Sequence, residues 1–161
     1  MKKLILFCIT LTLFLSCEKT NQNSIGNNQQ AVQDFAQLFS DSENENLTKK
    51  IIDFKNTSST EICIYTIDSL PENIDYIDVF ASKIAYEIGI DTEEKNNGLL
   101  ILISEHDTEF TFVIGKETKK TFTDSIRKNI SENNLIPYFS KNEYFQGVDS
   151  TLDAVISLWE K

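Results

Sequence analysis

KNNGLLILISEHDTEFTFVIGKETKKTFTD, residues 95–124, holds two apolar runs, 99–104 and 110–114, either side of a short polar link. Loops carrying Asn, Gly and Asp close the stretch at both ends. In the second run Phe110, Phe112 and Ile114 alternate with Thr111 and Val113, the period-two pattern of a strand. The link, residues 105–108, is too short for a crossover, so the two strands must be antiparallel neighbours. An antiparallel hairpin sets the start of its first strand beside the end of its second. Asn96, Asn97, Gly115 and, through the following loop, Asp124 are therefore expected at one end of the sheet, with Glu117 over the same end.

Upstream, residues 61–67 are β-branched and aromatic with apolar side chains on both faces, the pattern of a central strand. Between that strand and the hairpin, Ile77, Phe80, Ile84 and Ile88 recur at helical spacing beside Ala81 and Ala85, and Gly89 supplies the stop. Strand, helix and strand make a βαβ unit with parallel strands and a right-handed crossover. Residues 31–39 read as a short arm leading to Ser42, which with Glu45 forms a capping box for a helix whose stripe is Leu47, Ile51 and Phe54. Downstream, Thr123 and Asp124 open a third helix with Ile126 and Ile130 on its stripe and Pro137 at its end. A last helix aligns Phe145, Val148, Leu152, Val155 or Ile156, and Trp159. The expected fold is α/β, a three-layer α/β/α sandwich with a small mixed sheet containing a βαβ unit and a β-hairpin.

The chain has 161 residues, about one domain's length, and its 40 % hydrophobic content is enough to close a core. The 25 acidic and 15 basic side chains give a net charge of −10, which argues against nucleic acid as a partner because that affinity rests on Lys and Arg neutralising phosphates. With Arg127 the single arginine, no cluster of guanidinium forks can grip a phosphoryl group.

Residues 1–16 carry two lysines and then a nearly unbroken apolar run too short to span a bilayer, the pattern of a signal peptide. Phe14-Leu15-Ser16-Cys17 resembles the bacterial lipobox, in which cleavage precedes the Cys and that Cys carries the lipid. The competing reading is an ordinary secretory leader with a Cys at its cleavage site. Cleavage removes Cys8, and acylation of Cys17 leaves Cys63 as the sole thiol, so the mature chain forms no intrachain disulfide. Residues 17–30 are rich in Asn, Gln and Ser and read as a flexible tether. The expectation is a folded domain over 31–161, lipid-anchored to a membrane in the bacterial cell envelope.

Several short motifs occur together and in order: Val32-x-Asp34-x-Ala36, Tyr86-x-Ile88-Gly89, Asn96-Asn97-Gly98 before an apolar strand, Gly115, Thr123-Asp124, Ile136-Pro137-Tyr138-Phe139 and Tyr144-x-x-Gly147. Their ordered spacing resembles the TPM domain, a family that includes a chloroplast thylakoid lumen protein of photosystem II repair and many bacterial exported proteins. The resemblance spans residues 31–161. It implies an α/β/α sandwich, calcium binding as in some members, and the acid phosphatase activity attributed to the plant member. Where the family usually has a Gly-x-Gly-x-Glu loop, this chain has Gly115 followed by Glu117 at the second Gly and Lys119 at the Glu. The common Asp-Arg pair of the hairpin turn is Asp107-Thr108, and the Trp at the end of the second helix is Tyr86.

Oxygen ligands without His or thiolate clusters suit a hard cation, so Asn97, Glu117 and Asp124, with Asp34, are the candidate calcium ligands. Each also has an ordinary structural use: Asp124 as a helix cap, Asn97 as a turn former. Asp34 stays open between the two ends of the sheet, since a simple packing of the first helix would carry it toward Asp68 and Asp107. As a phosphatase the sequence departs from the recognised patterns. Ser69 stands where a cysteine phosphatase loop built on Cys63 needs Arg, and Leu70 where a phosphoaspartyl motif built on Asp68 needs its second Asp. The lone His106 sits in the hairpin turn. Two functions follow as expectations: a lipid-anchored binding or scaffold domain with a protein partner and calcium as its cofactor, or a weak metal-dependent acid phosphatase.

Overall fold

The computed structural model describes residues 31–90 and 96–160. Four strands, β1 (Val32–Asp34), β2 (Glu61–Ile67), β3 (Gly98–Ser104) and β4 (Glu109–Ile114), lie in the order β1-β2-β3-β4. The first three are parallel and β4 runs antiparallel to β3. Within the described residues five α-helices accompany them: α1 (Asp41–Thr57), α2 (Ile77–Glu87), α3 (Asp124–Ile130), α4 (Ile136–Phe139) and α5 (Tyr144–Ile156).

Strand alternation divides the apolar side chains between two layers. Ile62, Ile64, Leu99, Ile101, Ile103 and Phe112 meet Leu47, Ile51 and Phe54 of α1 and Val148, Leu152 and Val155 of α5. On the other face Cys63, Leu100 and Leu102 meet Ala81, Ile84 and Ala85 of α2. Every residue of β3 is buried, as a strand covered on both faces requires. This is the three-layer α/β/α sandwich with a mixed sheet, and the βαβ unit and the hairpin stand where the apolar patterns put them. Trp159, expected on the last helix, lies in the turn just beyond α5, where it sits edge-on to Phe54 with the ring centroids 5.4 Å apart and ties the C-terminal segment to α1.

Three local expectations are corrected. Residues 31–39 are not only an arm: Val32–Asp34 is an edge strand paired in parallel with β2, too short to show a period in sequence. The capping box of α1 is Ser40 with Glu43, one Ser-x-x-Glu register earlier than Ser42 with Glu45. Sequence cannot choose between these registers, whereas the turn before Ser40, held by Asp34, can. Pro137 does not end α3. A π-helical turn, Ser131–Leu135, carries the chain from α3 into α4, and Pro137 sits in the first turn of α4, where its missing N–H is not needed.

The expected leader and tether, the expected lipidation at Cys17 and the connector 91–95 lie outside the described residues.

Candidate functional site

The amino end of the parallel strands gathers three of the four candidate ligands. The Gly115 N–H donates to the Gly98 carbonyl at 2.9 Å and the Glu117 N–H to the Asn96 carbonyl at 2.7 Å, which stitches the loop after β4 over the loop before β3. Only glycine permits this approach, since a Cβ on residue 115 would stand 2.6 Å from the Asn96 carbonyl oxygen. A 3₁₀ turn, Thr118–Lys120, then leads to Asp124 at the start of α3.

Their side chains do not point to one centre. Asn97 Nδ2 donates to the Ser59 carbonyl and so braces the turn between α1 and β2. Glu117 pairs with Lys120, whose hydrogen bond and charge hold the Glu117 carboxyl below the usual glutamate range. Asp124 lies 3.4 Å from Lys119 Nζ and 3.8 Å from Arg127 Nη2. The cap of α3 is Thr123, its hydroxyl accepting from the Ile126 N–H at 3.4 Å, and Asp124 is an exposed first-turn residue favoured there by the helix dipole.

Asp34 stands at the opposite end. Parallel pairing sets it beside Thr66, at the carboxyl end of β2. Its Oδ1 accepts from the Leu38 N–H at 3.0 Å and from the Thr66 hydroxyl, and its Oδ2 accepts from the Phe39 N–H at 2.9 Å. Thr66 Oγ1 in turn accepts from the Ala36 N–H at 3.1 Å. Four polar contacts thus shape one turn, in which Gln37 takes a left-handed backbone with φ 55°.

Asp107 organises the same end, a role the sequence reading did not assign. Its Oδ2 accepts from the Ser104 hydroxyl at 2.6 Å and the Leu70 N–H at 2.7 Å, and these two donors hold its carboxyl below the usual aspartate range. With the His106 N–H donating to the Asp68 carbonyl at 2.7 Å, the hairpin turn is fastened to the loop after β2. No sequence motif announces this, because Leu70 and Asp107 meet only once β2 and β3 are paired.

Calcium takes six to eight oxygens. The four candidates offer no common ligand set as they stand: Asp34 is at the other end and engaged with three donors, and Glu117 and Asp124 each face a lysine. Among the described residues no group of three His, Cys, Asp or Glu is placed to hold a metal. Cys63, on β2, is buried in the layer under α2, and burial pushes its thiol up to about 12, out of the range of a nucleophile at neutral pH.

The most exposed large apolar side chains cluster on the α2 side. Tyr76, Val79 and Tyr86 are 70 %, 59 % and 71 % exposed and lie along one stripe of α2 and its cap. Phe35, 61 % exposed, packs on the Tyr65 ring of the same face at 5.1 Å between centroids. Because α2 sits over β3 and β4, the β1–β2 half of this face is left half-exposed.

The sequence profile of the TPM domain matches residues 32–158. No curated protein matches the chain. Among solved structures, the N-terminal domain of a protein from P. gingivalis superposes with a TM-score of 0.73 at 23 % identity, over 81 % of this chain and 82 % of that one. The BA42 protein of the psychrophilic bacterium Bizionia argentinensis gives 0.64 at 20 % identity, over 74 % and 80 %. The N-terminal domain of the cg2496 protein from Corynebacterium glutamicum gives 0.63 at 17 %, over 80 % and 79 %. At these identities the likeness is one of fold. The profile runs from the first residue of β1 past the end of α5, and the chain belongs to the TPM domain family.

Proposed function

We propose that the protein is a lipid-anchored binding or scaffold domain of the bacterial cell envelope, tethered to a membrane through Cys17 and engaging a protein partner through the α2 side. The carrying observation is the apolar stripe Tyr76, Val79 and Tyr86 with Phe35 beyond it, exposed surface of the kind that partners cover. The groups that would serve catalysis are occupied instead with structure. Asp34 and Asp107 hold backbone N–H groups, and the Cys63 thiol is buried and protonated. Phosphatase chemistry would require carboxylates free to share a metal. Calcium binding at the amino end would require Glu117 and Asp124 to release Lys120 and Lys119 to the cation.

The test uses the lipidated chain in vesicles, offered to solubilised envelope membranes, with Tyr86→Asp and Val79→Asp as comparisons. A defined partner retained by the native chain and lost by both variants supports the proposal; identical capture by all three overturns it. An unmodified Cys17 in the mature N-terminus would remove the anchor. Hydrolysis of a phosphate monoester that disappears in Asp124→Ala would favour the enzyme, and calorimetry without heat at millimolar calcium would take the cation out of either reading.

A further inference from the structure

Sheet edges offer unpaired N–H and carbonyl groups to any extended chain. The β1 edge has three residues and turns at once into the Asp34 loop. β4 has six, EFTFVI, without proline, lysine or arginine to guard them. Its register decides what it presents. Because the Gly115 N–H donates to Gly98, that residue and every second one before it, Val113, Thr111 and Glu109, turn their backbone groups toward β3. Phe110, Phe112 and Ile114 turn theirs outward, and no backbone partner meets them among the described residues.

A groove of about 500 Å³ runs beside this row. Its far wall is one face of α3 and the π-helical turn after it, Asp124, Arg127, Lys128, Ser131 and Glu132, spaced three and four apart. The Arg127 Nε is buried in that wall without a hydrogen-bond partner, while its Nη2 reaches Asp124 only at 3.8 Å. Phe110 and Ile136 line the groove and also an apolar cavity of about 170 Å³ closed by Ile103, Phe139 and Tyr144.

We propose that this groove takes an extended peptide segment of another protein, added to β4 as a fifth strand, with an apolar side chain in the cavity and a carboxylate on Arg127. Each part of that ligand answers an observed feature. Backbone groups left unpaired at every second residue match an extended main chain. The cavity takes an apolar anchor, and the part-exposed terminal nitrogens of Arg127, which meet Asp124 only at 3.8 Å, suit a carboxylate. A second copy fits less well. Pairing of two β4 strands about a twofold at Phe112 would bring both α3 walls to the same face of the joined sheet, into the space the groove leaves free. The groove lies away from the α2 stripe, so its occupation does not depend on the partner proposed there.

The test pans a random heptapeptide display library against the full chain and follows the enriched peptides by hydrogen exchange. The expected result is a set sharing one apolar and one acidic residue at fixed separation, whose binding slows exchange across residues 109–115. Arg127→Gln should weaken that binding about tenfold, the loss of one charge-assisted contact. Ile136→Lys, a change at a residue already 46 % exposed, should abolish it, while Tyr86→Asp on the far face should leave it unchanged. Failure to enrich any peptide, protection elsewhere, or equal affinity in Arg127→Gln overturns the proposal. A concentration-dependent dimer that protects 109–115 without peptide overturns it in favour of a second copy. None of these outcomes bears on capture through the α2 side.

Discussion

Asp34 shows how a residue type that suggests a ligand can be a piece of backbone engineering. A carboxylate at the end of an edge strand has two oxygens and several lone pairs to offer, and here the turn itself supplies the donors: the Leu38 and Phe39 N–H groups and the Thr66 hydroxyl. Removing it leaves those donors short of an acceptor, so Asp34→Ala should lower stability by about 2–4 kcal/mol in urea denaturation, the range for losing several bonds to a charged acceptor. Asp34→Asn retains one carbonyl oxygen and should lose less. A change below about 0.5 kcal/mol in the alanine variant would mean the turn is held by other contacts. Cys63 carries a second residue-level expectation. With its thiol pushed up to about 12 by burial, it should resist alkylation at pH 8 in the native chain and react on unfolding. Rapid native-state labelling would contradict the packing of the α2 layer. Neither role is written in the residue's own neighbourhood, because Asp34 meets Thr66 and Cys63 meets Gln33 only after β1 has paired with β2.

At the scale of elements the sequence was informative wherever a period ran for several residues. The stripes of α1, α2 and α5 and the alternation in β4 each repeat often enough to identify a buried face, and those faces are the ones buried. It was uninformative where a choice depended on partners distant in the chain. Three residues of β1 hold no period, Ser40 and Ser42 offer equivalent caps, and Pro137 reads as a stop unless a widened turn precedes it. The junction of α1 with α5 was equally hidden. Lys50 reaches Asp149 and, at 2.7 Å, Asp153, one turn apart on α5. Burial alone would depress the Lys50 ammonium, but the two carboxylates more than offset it and its pKa is raised above the ordinary 10.5. A lysine raised in the folded state adds stability that is fully present below its unfolded value and lost as pH climbs through the folded one. The difference in stability between the native chain and Lys50→Met should therefore be constant from neutral pH to about 10 and shrink above it. A difference unchanged through that alkaline window would show that the bridge adds nothing beyond its packing.

Across the whole molecule the two faces of the sheet are unequal. One carries α1, α3 and α5 over a continuous layer of Leu, Ile, Val and Phe side chains. Among the described residues the other carries only α2, two of whose three buried side chains are Ala81 and Ala85. Alanine brings the helix near the sheet but buries little apolar area, and stabilisation follows area at about 25 cal/mol per Å². Two-sided burial of β2 and β3 was legible in their apolar runs; which helices fell on which face was not, since every helix shows a stripe and none shows its partner. The inequality leads to a prediction about how the fold comes apart. α2, resting on a thin layer and exposed along Tyr76, Val79 and Tyr86, should open as a unit before the sheet does. In native-state hydrogen exchange with rising urea, α2 amides should exchange through an opening of lower free energy than those of β3 and α5. Ile84→Ala, which truncates the largest buried side chain of α2, should lower the α2 opening further, and its effect on global stability sets the scale for comparison. Merging of α2 amides with those of β3 at the lowest urea would show that the two layers unfold as one. Early opening of α2 would also uncover the β3–β4 surface beneath it, so a partner that clamps the apolar stripe should raise the α2 exchange barrier while leaving that of α5 where it was.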